Sequence, residues 1–187
     1  MAAVRSFVAL PLPDEVRIAL AEAQKRLRAA APEVKWEDPA KFHITLKFLG
    51  DVEISRLEEL ALKFASRLNL IRSFDLIYEN IGAFPSAEAP RTIWGGTREN
   101  GSIVQLHETV DDVCHAFGFA REARTFHAHA TLGRVKKSGA LHRLTEEIKN
   151  TTLGPIQSRC WGARLVRSEL TPTGSVYTTL HSFPFSS

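Results

Sequence analysis

The sequence predicts an α+β fold of two pseudo-symmetric lobes, each a mainly antiparallel sheet backed by helices, with a central cleft between them. Three observations carry that reading. Short β-prone runs alternate along the chain with apolar stripes of helical period. The pattern His-x-Thr-Leu occurs twice, as His43-Ile44-Thr45-Leu46 and His129-Ala130-Thr131-Leu132, each inside a β-prone run. The elements around the two copies repeat in the same order 86 residues apart, too long a period for a solenoid and suited to two related lobes.

Residues 4–10 are β-prone and run into Pro11 and Pro13, which predicts a strand stopped by a turn. Val16, Ala19, Leu20, Ala23, Leu27 and Ala30 then recur at helical spacing, with Asp14 and Glu15 at the positive N-terminal end and Pro32 beyond the other. Trp36 falls in a short extended piece. Residues 42–48 alternate in character, and Gly50-Asp51 predicts the turn that ends this strand. Ile54, Leu57, Leu60, Ala61, Phe64 and Leu68 form the next helical stripe, and residues 74–81 and 91–95 two more strands. In the second half Ile103, Leu106, Val110, Val113, Cys114 and Phe117 make a helix, residues 127–135 a strand, and Leu141, Leu144 and Ile148 a further helix. Strands over about 156–170 and 175–181 close the chain around a Pro172-Thr173-Gly174 hairpin turn.

Composition bounds the function classes. With 187 residues, 44% hydrophobic and 24% charged, the chain is neither disordered nor of low complexity. Folding at this length buries roughly 70% of the unfolded surface, so residues 1–187 read as a single bilobal domain that needs no disulfide or structural metal. Cys114 and Cys160 lack partners at metal-ligand spacing and read as buried thiols in a reducing compartment. The net charge of +3 is a mild bias compatible with a phosphate-bearing ligand. The apolar run Phe7 to Leu12 is too short for a signal peptide's core, and no stretch has the length of a membrane span. A cytoplasmic, monomeric protein is expected.

The repeated motif carries the chemistry. Chance supplies roughly 0.05 such tetrapeptides in a chain of this composition, so two copies are informative. On a strand, residues two apart share a face about 7 Å apart, so His43 with Thr45, and His129 with Thr131, each present an imidazole beside a hydroxyl. His107-Glu108-Thr109 is the internal control: it falls in a helical stripe, where residues two apart are rotated by roughly 200° and share no target. Two pairs facing across a cleft make a symmetric cage for a phosphoryl group, one imidazole activating a nucleophile and the other protonating the leaving oxygen. His127 and His129 form a His-x-His, but no third ligand lies at a recognisable spacing, so no metal site and no cofactor are expected.

The two motifs, together with Arg5-Ser6-Phe7-Val8-Ala9, Lys35-Trp36, Lys47-Phe48-Leu49-Gly50, Gly82-Ala83-Phe84-Pro85, Pro90-Arg91, Trp94, Gly118-Phe119, Arg124 and Ser168 to Gly174, resemble the bacterial and archaeal RNA 2′,3′-cyclic phosphodiesterases. That family, also called 2′-5′ RNA ligases, lies within the two-histidine phosphoesterase superfamily. The resemblance spans nearly the whole chain. One departure is Ala128, where the family usually has Pro before the second histidine. The resemblance implies metal-independent hydrolysis of an RNA-terminal or nucleotide 2′,3′-cyclic phosphate to the 2′-phosphomonoester, with His129 as general base and His43 as general acid. The pseudo-symmetry of the motifs does not itself orient the substrate. The resemblance also implies that Phe48 packs on the nucleobase and that Arg134 serves the nucleotide. Strict alternation puts both on the face opposite the histidines, so each reaches the cleft only if its strand ends, twists or bulges. Two rivals share the cage: reversible 2′-5′ ligation with a 5′-hydroxyl in place of water, and a non-catalytic module that binds RNA ends.

Overall fold

The computed structural model describes residues 3–136, 141–172 and 174–187. In chain order the elements are β1 (Ala3–Pro11), α1 (Asp14–Ala30), β2 (Lys35–Trp36), a 3₁₀ turn (Pro39–Lys41), β3 (His43–Glu53), α2 (Ile54–Leu68), β4 (Phe74–Phe84), β5 (Thr92–Thr97), α3 (Gly101–Ala116), β6 (His129–Arg134), α4 (His142–Asn150), β7 (Ile156–Cys160), β8 (Gly162–Thr171) and β9 (Gly174–Pro184). The predicted helices all form: α2 buries Leu57, Leu60, Ala61, Phe64 and Leu68 of its predicted stripe, while Ile54, at its first turn, stays exposed.

The strands make two antiparallel sets of four, β7-β4-β5-β6 and β3-β1-β8-β9, joined where the two motif strands meet. One residue pair, Ile44 with Ala130, makes that joint. The short β2 adds to β6 through Lys35–Arg134 and Trp36–Gly133. Helices α2 and α3 pack on the β3 lobe, and α1 and α4 on the β6 lobe. Each half of the chain therefore sends its first helix to the other half's lobe.

The core lies between each sheet's outer face and its helices, leaving the inner faces for the cleft. Leu20 of α1 packs on Gly95 of β5 so closely that a Cβ there would stand 2.2 Å from its methyl. Gln24 is the buried polar residue of α1; its Nε2 donates to the carbonyls of Glu37 (2.6 Å) and Leu132 (2.8 Å). Cys114 and Cys160 are both buried and free, and burial pushes each thiol up to about 12.

Beyond differences of two or three residues, such as β4 running to Phe84 and β9 to Pro184, two boundaries differ from the sequence reading. Gly50-Asp51 does not end its strand: Gly50 takes φ +74° within β3, which continues to Glu53 beside β1. A glycine in the left-handed region is what a bulge needs as much as a turn does. The run over 156–170 is two strands, not one. β7 pairs with β4 in one lobe, the chain crosses at Trp161, and β8 pairs with β1 in the other. Both pieces alternate well enough to read as continuous. The β8–β9 hairpin forms with Thr171 opposite Gly174, while Thr173 of its predicted turn lies outside the described residues.

Candidate active site

The inner faces of β3 and β6 present the motifs. With Ile44 opposite Ala130, antiparallel register sets His43 beside Thr131 and Thr45 beside His129, so the two His-x-Thr units run head to tail. All four side chains line a cleft of about 760 Å³ between the lobes.

Both strands bulge at the same motif position. On β3, Thr45 faces Ala9 and Lys47 faces Val8, leaving Leu46 as the extra residue. On β6, Thr131 faces Trp94 and Gly133 faces Ile93, leaving Leu132 as the extra residue. A bulge spends one residue without crossing the pleat, so inward and outward positions exchange beyond it. Lys47, which alternation would aim into the cleft, turns to the core, and Phe48 turns to the cleft, where it is 60% exposed. Arg134 is exposed on the cleft side by the same device. The sequence leaves this question open, and the paired bulges answer it.

Each bulge is held by a buried polar side chain. The Nζ of Lys47 reaches Asp111 Oδ1 of α3 at 2.6 Å and the Ala120 carbonyl at 2.7 Å. Burial opposes ionisation of Asp111, but the Lys47 ammonium and the Glu122 N–H outweigh it and hold the carboxyl below its ordinary value. On β6 the Leu132 carbonyl accepts from Gln24 and from the Glu37 N–H. Lys47 enters the family resemblance without this role, and Gln24 belongs to no predicted stripe. Nothing local marks either residue as buried.

The imidazoles are set identically. Nδ1 of His43 lies 2.7 Å from the Lys41 carbonyl, and Nδ1 of His129 lies 2.6 Å from the His127 carbonyl. A carbonyl only accepts, so Nδ1 carries hydrogen in both rings and Nε2 is the nitrogen left for chemistry. Nε2 of His43 stands 3.1 Å from Thr45 Oγ1. Aromatic rings bracket both: Phe7 stacks on His43 at 4.8 Å with Tyr177 edge-on at 5.4 Å, and Phe84 meets His129 edge-on at 5.0 Å with Trp94 at 6.3 Å. Burial among these rings pushes both imidazoles below the ordinary value; the carbonyl bonds at Nδ1 pull the other way.

Arg5, Lys35, Lys41, Arg124 and Arg134 line the cleft against Glu37 and Glu122, an excess of positive charge. The Arg134 charge reaches both imidazoles. Sequence reasoning misses Tyr177, because β9 carries no motif. His107 stacks on Phe126 at 4.1 Å at the cleft margin, apart from the paired motifs. Among the described residues no three His, Cys, Asp or Glu side chains gather as a metal ion would require. Among the described residues no helix is long and apolar enough to cross a membrane.

The fold falls in the class of LigT-like phosphoesterases, whose family model matches residues 10–94. The chain is 33% identical to an RNA 2′,3′-cyclic phosphodiesterase of Archaeoglobus fulgidus, over 96% of this chain and 99% of that one. It is 32% identical to the protein of that name from Methanothermobacter thermautotrophicus, over 96% and 98%. Among solved structures it superposes on TT0787 of Thermus thermophilus with a TM-score of 0.83 at 29% identity, covering 96% and 97% of the two chains. E. coli LigT complexed with 3′-AMP follows with 0.77 at 25% identity, covering 99% of each. The chain belongs to the LigT-like phosphoesterase family.

Proposed function

We propose that the chain hydrolyses a 2′,3′-cyclic phosphate at an RNA 3′ end or on a nucleotide. The observation that carries this reading is the matched pair of imidazoles, each tied at Nδ1 to the carbonyl two residues earlier and each on a strand with a threonine two residues on. The names of the curated relatives and the 3′-AMP complex of LigT point the same way. The phosphoryl group sits between the two Nε2 atoms, with Thr45 and Thr131 donating to its oxygens. His129 takes a proton from water; the water oxygen bonds to phosphorus as the bond to O3′ breaks; His43 gives O3′ its proton and the 2′-phosphomonoester remains. Phe48 offers a face to the base, and Arg134 meets the nucleotide's negative charge. Residues 1–187 act as one bilobal domain, as a monomer in the cytoplasm.

Incubation with each nucleoside 2′,3′-cyclic phosphate, read by ³¹P NMR, tests this: the 2′-phosphate accumulates, and at an unchanged rate after exhaustive chelation. A 3′-phosphate product reverses the two histidine roles. No turnover leaves the RNA-end-binding module as the reading.

A further inference from the structure

The two motif imidazoles share tautomer, strand position and an aromatic bracket, so the motifs do not say which ring gives a proton and which takes one. Their surroundings differ by one carboxylate, that of Glu37. Its backbone is pinned on both sides: the N–H donates to the Leu132 carbonyl at 2.9 Å, and the carbonyl accepts from Gln24 Nε2 at 2.6 Å. Residues 38–42 then leave the edge of β6 and return. The excursion is closed by the Lys41 N–H on the Asp38 carbonyl (2.8 Å) and the Phe42 N–H on the Pro39 carbonyl (3.2 Å), with the Asp38 carboxylate accepting from the Ala40 N–H at 2.9 Å. The chain regains β6 at Ile44, opposite Ala130, while β5 holds the other edge. Glu37 at Leu132 and His43 beside Thr131 therefore stand at neighbouring levels on one edge of β6, although the whole excursion separates them in the chain.

The Glu37 side chain is half-buried and lines the cleft with Lys35, Lys41, Arg134 and Tyr177. Among the described residues no cation forms an ion pair with it. An unpaired carboxylate in a cleft for phosphate weakens the attraction for an anion, so its presence there calls for another use. The charged and titratable groups about His43 are Glu37 after β2, Lys41 on the 3₁₀ turn, His129 and Arg134 on β6, and Tyr177 on β9, while β1 packs Phe7 on the ring. Burial disfavours the cation at His43, and the His129 and Arg134 charges add to that; the Lys41 carbonyl and the Glu37 carboxylate act the other way. Burial, and then the Glu37 charge, push the Tyr177 hydroxyl up, so it stays neutral. Burial, the His127 carbonyl, and the His127 and Arg134 charges act on His129, with no carboxylate among them. The other acid of the cleft, Glu122, accepts from the Arg124 N–H at 3.3 Å and acts on His107.

We propose that Glu37 is a positioning residue for the reaction: its carboxylate keeps His43 as the cation of the pair, breaks the symmetry of the cage, and so assigns the acid to β3 and the base to β6. This rests on the cyclic phosphodiesterase reading and deepens it, because the two His-x-Thr units are otherwise interchangeable. His43 enters protonated and gives its proton to O3′, and His129 enters neutral and takes one from water. Each turnover leaves the charges exchanged, and Glu37 sets the ring to which the proton returns through solvent.

The test follows the ring nitrogens of His43 and His129 by NMR in the full chain without ligand, across a pH series, in the wild type, Glu37→Gln and Glu37→Asp. In the wild type His43 should titrate above His129. Glu37→Gln should lower the His43 midpoint by at least about half a pH unit and leave His129 in place, and Glu37→Asp should recover part of the shift. The rate should follow the same sign. On the alkaline side of the kcat/KM profile for cytidine 2′,3′-cyclic phosphate, Glu37→Gln should cost at least about threefold, and on the acid side nothing, since His43 is protonated there in both proteins. A mere brace at the Leu132 bulge would slow the enzyme by one factor at every pH. That uniform loss, a His43 midpoint unmoved in Glu37→Gln, or a wild-type His129 that titrates above His43 overturns the assignment while hydrolysis persists; a wild type that does not hydrolyse the nucleotide overturns the phosphodiesterase reading itself.

Discussion

A histidine tied at Nδ1 to the carbonyl two residues back on its own strand has its tautomer fixed by the backbone, and this chain builds that device twice. The proposed reaction needs one such ring neutral and the other protonated. Burial depresses both. The acid therefore loses its proton at a lower pH than a free imidazole does, and in the free enzyme the alkaline limb of kcat/KM should begin below about 6.5. A pH profile of kcat/KM for a cyclic nucleotide checks the sign; an alkaline limb that begins well above that value contradicts it. Thr45→Ala and Thr131→Ala should slow turnover by the same factor for all four nucleosides, because in the proposed complex those hydroxyls meet the phosphoryl oxygens and not the base. Phe48→Ala should instead weaken binding of all four by about 1–3 kcal/mol, since every base offers a π-face. Unchanged affinity in that variant would remove Phe48 from the ligand.

At the scale of elements, the bulges at Leu46 and Leu132 decide which side chains face the cleft, and buried polar groups hold them. Lys47→Met should destabilise the fold by about 1–3 kcal/mol, because it leaves Asp111 buried with only the Arg121 guanidinium and the Glu122 N–H as partners. Urea denaturation measures this, and a loss under about 1 kcal/mol would mean that the pair does not brace the bulge. The same elements show what the sequence makes legible. Apolar period places α1 to α4, and His-x-Thr spacing places four side chains on two strand faces. Those arguments are local, and the structure obeys them. The bulges come from pairing with β1 and β5, which no local pattern records, so Phe48 and Arg134 can be named by resemblance but not aimed. The switch at Trp161 is hidden for a related reason: β7 and β8 alternate alike, and only their partners differ. Gly50 reads as a turn because the same positive φ serves a turn or a bulge.

The whole molecule is two lobes that exchange helices, pair strands between β3 and β6 and share one hydrophobic core, with both motifs lining the cleft between them. Cations exceed acids along that cleft. Each phosphate of a longer RNA that meets one of them releases counterions, so oligonucleotide binding should weaken with salt more steeply than mononucleotide binding. KM measured across a salt series for both substrates checks this, and parallel slopes would confine recognition to the terminal nucleotide. The central claim is that His43 and His129 act as one acid–base unit on a cyclic phosphate, and it is met most directly by comparing His43→Ala, His129→Ala and the double variant on cytidine 2′,3′-cyclic phosphate. Each single change should cost at least about 10²–10⁴-fold in kcat, with the double variant scarcely slower than either. Turnover near that of the wild type in either single variant, with its fold intact, would contradict the account.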